Sequence, residues 1–179
     1  MRALVDPLLG VPSWQVTNFH GSMLMLEFGT VTVEFGATAE RPTRLPDGPP
    51  SAMHRPVQVR GDWTLSVEMC DWSIRLGDRT VASCESVDPT MSRVLKLLKG
   101  QALTEMVVAP VNGATEFRFD LGATLVLQPG SWPEDHEPHE LWTLRAPDDR
   151  YVAVRDDGTF SLYAGDDDPD VFVWTDLER

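Results

Sequence analysis

Two runs of the chain alternate: Trp63, Leu65, Val67 and Met69 are separated by Thr64, Ser66 and Glu68, and, after Cys70-Asp71, Trp72, Ile74 and Leu76 by Ser73 and Arg75. A period of two is that of a strand with one buried face, so the spacing predicts half-buried antiparallel strands. Similar runs occur at Met23-Leu24-Met25-Leu26-Glu27-Phe28, Val31-Thr32-Val33-Glu34-Phe35, Glu116-Phe117-Arg118-Phe119 and Thr124-Leu125-Val126-Leu127. Gly77-Asp78 and Asp157-Gly158 sit between apolar runs and supply the positive φ of tight hairpin turns. Only one stretch has a clear helical period. Met91, Val94, Leu95 and Leu98 form a single stripe after Asp88-Pro89-Thr90, with Thr90 as the expected cap and Gly100 as the stop. A shorter helical turn is expected from Asp6 to Leu9.

The runs recur in order. Trp63-Thr64-Leu65 matches Trp142-Thr143-Leu144 at an offset of 79, which also brings Trp72 onto Tyr151, Asp78 onto Asp157 and Thr80 onto Thr159. The block from Met23 to Gly29 lies over that from Glu116 to Gly122 at an offset of 93, and Leu9-Gly10 over Leu98-Lys99-Gly100. The offset shrinks because the connection at 36–61 is longer than that at 129–140. The expectation is an α+β, predominantly β fold: two diverged β-rich repeats of antiparallel meanders about a pseudo-twofold, in one domain over 1–179. Repeat one covers about 5–86, a linking helix about 89–99, and repeat two about 100–175. About a dozen strands and one or two helices follow from this reading.

Composition narrows the function. With 42% apolar and 24% charged residues the chain has enough to bury and should fold. Its apolar runs are far shorter than the roughly 20 residues of a membrane-spanning helix. Asp6-Pro7 interrupts the apolar stretch a cleaved signal would need, so a cytoplasmic location is expected. Cys70 and Cys84 are read as free thiols, with a bridge between the ends of a hairpin as the alternative. Thirteen arginines against two lysines, with abundant Ala, Asp and Pro, suggest a GC-rich bacterial genome.

The net charge of −13 disfavours nucleic acid and favours a basic protein partner. Its excess is C-terminal: residues 130–179 hold 14 acids and 4 bases. The expected partner-binding residues are therefore Trp132, Glu134, Asp135 and Glu137 in one acidic loop and Asp166, Asp167, Asp168 and Asp170 in another. Trp63, Trp72 and Trp142 lie on the apolar phase of their strands and are assigned to the core.

No catalytic residue, metal site or cofactor is assigned. His136-Glu137-Pro138-His139 could supply imidazole ligands, but prolines at 133 and 138 break the helical spacing that would align them. Asp166-Asp167-Asp168-Pro169-Asp170 lacks the glycine and distal glutamate of a calcium loop. His20-Gly21-Ser22 reads as a turn rather than a nucleophile, and there is no phosphate-binding glycine loop.

A small acidic β-rich chain with a duplicated Trp-bearing unit and no catalytic signature resembles the immunity proteins of bacterial toxin systems, and actinobacterial domains of similar size. That resemblance implies a non-enzymatic protein-binding module, as in an inhibitor of a basic toxin. The alternatives are a metal- or small-ligand-binding domain or enzyme with a pocket between the repeats, and a structural subunit of a larger assembly.

Overall fold

A computed structural model describes residues 1–19, 23–37, 39–42, 51–133 and 135–177. The turn expected at His20-Gly21-Ser22 lies outside them. The chain opens with a short helix α1 (Arg2–Val5) and a 3-10 turn (Asp6–Leu8). Nine strands follow: β1 (Ser13–Phe19), β2 (Met23–Phe28), β3 (Thr32–Phe35), β4 (Ala39–Pro42), β5 (Ser51–His54), β6 (Val57–Arg60), β7 (Trp63–Val67), β8 (Cys70–Leu76) and β9 (Arg79–Ser83). After helix α2 (Asp88–Leu98) come β10 (Leu103–Val108), β11 (Thr115–Phe119), β12 (Ala123–Pro129), β13 (Glu140–Arg145), β14 (Arg150–Arg155), β15 (Thr159–Ala164) and the short β16 (Thr175–Asp176). Predominantly β with antiparallel pairing is what the alternation predicts. Among the described residues no helix is long and apolar enough to cross a membrane.

Two sheets carry the core. One has the order β1-β2-β7-β13-β14-β15-β16, the other β10-β11-β12-β8-β9. They share one apolar cluster, in which Trp142 of the first sheet meets Phe117 of the second edge-on at 5.4 Å between ring centroids. The Trp142 indole N–H donates to Thr115 Oγ1 at 2.8 Å, so the largest buried side chain of β13 is satisfied across the sheets. Trp63, Trp72 and Trp142 are all buried, as their strand phase requires.

The chain changes sheets twice. Alternation through Met69 suggests one strand to that point, but β7 ends at Val67 and the backbone bends, Cys70 N–H donating to Glu68 O at 2.9 Å, before β8 joins the other sheet. The return passes through residues 130–139.

The strand registers match in pairs that exchange the two sheets. Val67 and Leu65 face Trp142 and Leu144, and on the other side Leu127 and Leu125 face Trp72 and Ile74. In these pairings Trp142 stands opposite its neighbour strand as Trp72 does, not as Trp63 does, along Trp142-Thr143-Leu144-Arg145 and Trp72-Ser73-Ile74-Arg75. The 79-residue register is corrected: β7 and β13 are neighbours in one sheet, while Trp72 and Tyr151 lie in different sheets. The 93-residue register shifts as well, since Ser13 faces Phe28 as Leu103 faces Phe119, with a bulge at the same point of both pairs.

The two halves meet at Pro12 and Ala102, which form an isolated bridge. Around it Gly10 N–H donates to Leu103 O (2.7 Å) and Gly100 N–H to Ser13 O (2.6 Å), both glycines having φ near +85°, where a Cβ would be strained. Gly100 does end α2, and the expected stripe of Met91, Val94, Leu95 and Leu98 is its buried face. The cap differs. The helix begins at Asp88 with Val87 at the cap position and Pro89 in the first turn, where a missing N–H costs nothing, so Thr90 is already helical.

The long connection between β2 and β7 folds as two successive antiparallel ribbons, β3 with β6 and β4 with β5. Gly61 brings the chain back: a Cβ there would lie 2.3 Å from Phe28 O.

Candidate functional site

Residues 130–139, of which Glu134 is not described, form an exposed segment that leads into the acidic C-terminal half. Pro133 and Pro138 lack the N–H that a ladder needs, so the loop requires other contacts to order it. Asp156, just past β14 and with only 4% of its side chain exposed, provides them. Its Oδ1 accepts from the His139 N–H at 2.9 Å, its Oδ2 lies 2.8 Å from His136 Nε2, and its own N–H donates to His139 O at 3.0 Å. His136 Nδ1 is 2.7 Å from Pro133 O. Both ring nitrogens therefore face acceptors, an arrangement only the doubly protonated ring satisfies. The Asp156 carboxylate, followed by the Pro133 carbonyl, raises the His136 pKa above its ordinary value.

The Trp132 indole packs edge-on against His139, 4.7 Å between centroids, and His136 and His139 lie 5.3 Å apart. Trp132 is still 39% exposed, and Asp135 and Glu137 face solvent. Glu134 lies outside the described residues. Among the described residues no group of three or more His, Cys, Asp or Glu is placed to hold a metal ion.

The second acidic loop is built differently. Asp167 Oδ2 accepts from the Ala164 N–H (2.7 Å), and Asp168 caps a 3-10 turn (Pro169–Val171) by accepting from the Asp170 N–H (3.1 Å). Two of the four acids expected to bind a partner thus shape the turn. Asp166 and Asp170 are exposed. The two loops lie at opposite ends of six-residue β15, about 20 Å apart at strand rise. The seven described contact residues do not converge on one point.

The outward face of β14 and β15 carries a cluster the alternation hides, because aromatics there occupy the polar phase. Tyr151 stacks on Tyr163 (5.2 Å) and Tyr163 on Phe172 (3.9 Å), while the Arg155 guanidinium sits 3.4 Å over the Trp174 ring. Burial, with the charge of Glu140 next, pushes the Tyr163 hydroxyl up to about 12. Burial and then Glu140 also raise the Glu68 carboxyl. Phe172 and Trp174 pack on part of this face, and a cavity of about 320 Å³ opens beside Tyr151 and Tyr163, bordered by Met1, Leu4 and Arg150. The signal of the cluster in the sequence was the Tyr151, Ala153, Arg155 alternation.

Phe28, Trp72, Phe117 and Trp142 are buried in the core, while a cavity of about 450 Å³ lies where Met1, Val5 and Leu9 of the first half meet Thr104, Met106 and Val108 of the second. Both cysteines are free thiols, Cys70 buried and Cys84 part-exposed. Burial pushes the Cys70 thiol up to about 12, which removes it as a nucleophile at neutral pH. No family model, curated protein or solved structure matches the chain.

Proposed function

We propose that the protein is a non-enzymatic protein-binding module that receives a basic partner on the loop of residues 130–139. The observation that carries this reading is the anchoring of that loop. A nearly buried carboxylate, Asp156, fixes a loop whose outer surface offers Trp132 with Asp135 and Glu137 beside it. Preorganisation lowers the entropic cost of association, and an exposed tryptophan ringed by charge is the composition of an interface hot spot. The 14 acids against 4 bases of residues 130–179 would steer a cationic surface toward it. An immunity-type inhibitor covering a basic toxin is one form of this function, and an internal duplication that exchanges strands between sheets is its proposed scaffold.

Immobilised protein and a Trp132→Ala, Asp135→Asn, Glu137→Gln variant are to be compared in capture from cells that contain the natural chain. The reading expects a basic protein retained by the first, released by salt and absent from the second. Equal retention by both would remove the loop from the interface.

A further inference from the structure

Leu162 of β15 lies directly opposite Val152 of β14, and residues paired across two strands share a face. Val152 belongs to the apolar core and has no exposed surface, whereas Leu162 is 53% exposed. The difference comes from a gap. Between α1 and β15 lies the cavity of about 320 Å³, with Met1, Ala3 and Leu4 on one side and Leu162 and Ala164 on the other. A leucine on the core side of its strand is thus left as the floor of an open apolar cavity.

The strand side of this cavity is fixed. Asp167 Oδ2 accepts from the Ala164 N–H at 2.7 Å, and the Asp167 N–H donates back to Ala164 O at 3.1 Å, which ties off the end of β15. Asp149, just before β14, has a left-handed φ of 60°, and its carbonyl accepts from the Gly165 N–H at 3.0 Å. A residue other than glycine stays in that region only where the surrounding contacts hold it there. Walls already in place spare a ligand the cost of ordering its site.

The lining sets the chemistry of the ligand. The walls named above are aliphatic, and since an apolar cavity of about 150 Å³ takes benzene, twice that volume accepts roughly a dozen heavy atoms. The rim carries both signs of charge: Asp167, and Arg150, whose Nε donates to Asp148 Oδ2 at 2.6 Å. A carboxylate head would gain from Arg150 but be repelled by Asp167, and an ammonium head the reverse, so neither recovers the cost of leaving water. A hydroxyl avoids this conflict, because it accepts from a guanidinium and donates to a carboxylate. We propose that the cavity between α1 and β15 binds a small aliphatic molecule with an uncharged hydroxyl head, its chain lying on Leu162. The cavity on the other side of α1 differs in having Arg2, Asp6, Thr104 and Glu105 in its walls. The inference does not depend on the basic partner proposed for residues 130–139.

Octan-1-ol titrated into the full chain and followed by methyl NMR tests it, with the thermal melt as the control for folding. Saturable binding at about 0.1 mM or tighter is expected, the range open to a ligand of this size, with the largest shifts at Met1, Ala3, Leu162 and Ala164. Leu162→Gln makes the floor polar and Ala3→Phe fills the space. Each is expected to weaken binding by at least about tenfold with an unchanged melt, because both side chains are exposed in the free chain. Leu97→Gln, exposed on α2, is expected to bind as the natural chain does. Octanoate and octylamine are expected to bind several-fold more weakly than octanol. No saturable shift at up to about 1 mM overturns the proposal. Shifts centred elsewhere, binding unchanged by both cavity substitutions, or tighter binding of either charged analogue also overturns it.

Discussion

Asp156 Oδ2 lies 2.8 Å from His136 Nε2, while the opposite ring nitrogen faces the carbonyl of Pro133. The pair locks the exposed loop to the end of β14, and its strength depends on the proton that His136 carries.

Because His136 has a raised pKa in the folded chain, the stabilisation it contributes is complete below the ordinary histidine value of 6.5 and is lost as pH climbs through the raised one. Asp156 and Asp135 are the charges that hold the proton, and His139 is the neighbouring ring. An imidazole NMR titration is expected to place His136 above 6.5, and Asp156→Asn to bring it down. Trp132 fluorescence should change with the same midpoint. A His136 titration at or below the ordinary value would contradict the latch.

Trp142 is fully buried and joins the sheets through Thr115. Trp142→Ala is expected to cost about 3–5 kcal/mol by denaturant unfolding, the range for a large aromatic cavity. Thr115→Val should cost about 1–3 kcal/mol, because it strands the indole N–H. A loss below about 1 kcal/mol for Trp142→Ala would place this side chain outside the core.

At Asp168 the acid acts as a cap rather than as spare charge. Asp168→Asn keeps an acceptor for the Asp170 N–H and is expected to leave the melt nearly unchanged, whereas Asp168→Ala should lose about 0.5–2 kcal/mol. Equal melts for both substitutions would mean that the turn does not need the cap.

Strand and helix were readable where one face is buried, because burial writes its period directly into the sequence, as at Trp72, Ile74 and Leu76 or along the stripe of α2. What a period cannot record is which sheet a strand enters. Trp63 through Met69 alternate without a break, yet the chain leaves the first sheet after Val67. The tripeptide Trp-Thr-Leu recurs at Trp63 and Trp142, yet a shared tripeptide carries no information on which strands pair, and β7 and β13 are neighbours in one sheet while β8 and β14 lie in different ones. The apolar alternation at Val31 to Phe35 also misled, since it marks a face turned to solvent rather than to the core. At the candidate site, the acids were legible as composition, but Asp156 was not, because its role depends on a contact 17 to 20 residues away in the chain.

The most direct test is the association rate of the captured basic protein at low and high salt, for the natural chain and for the Trp132→Ala, Asp135→Asn, Glu137→Gln variant. A steep fall in rate with salt and at least about tenfold weaker binding by the variant are predicted. A rate independent of salt, equal affinity for the variant, or the absence of any basic protein among those captured would contradict the account.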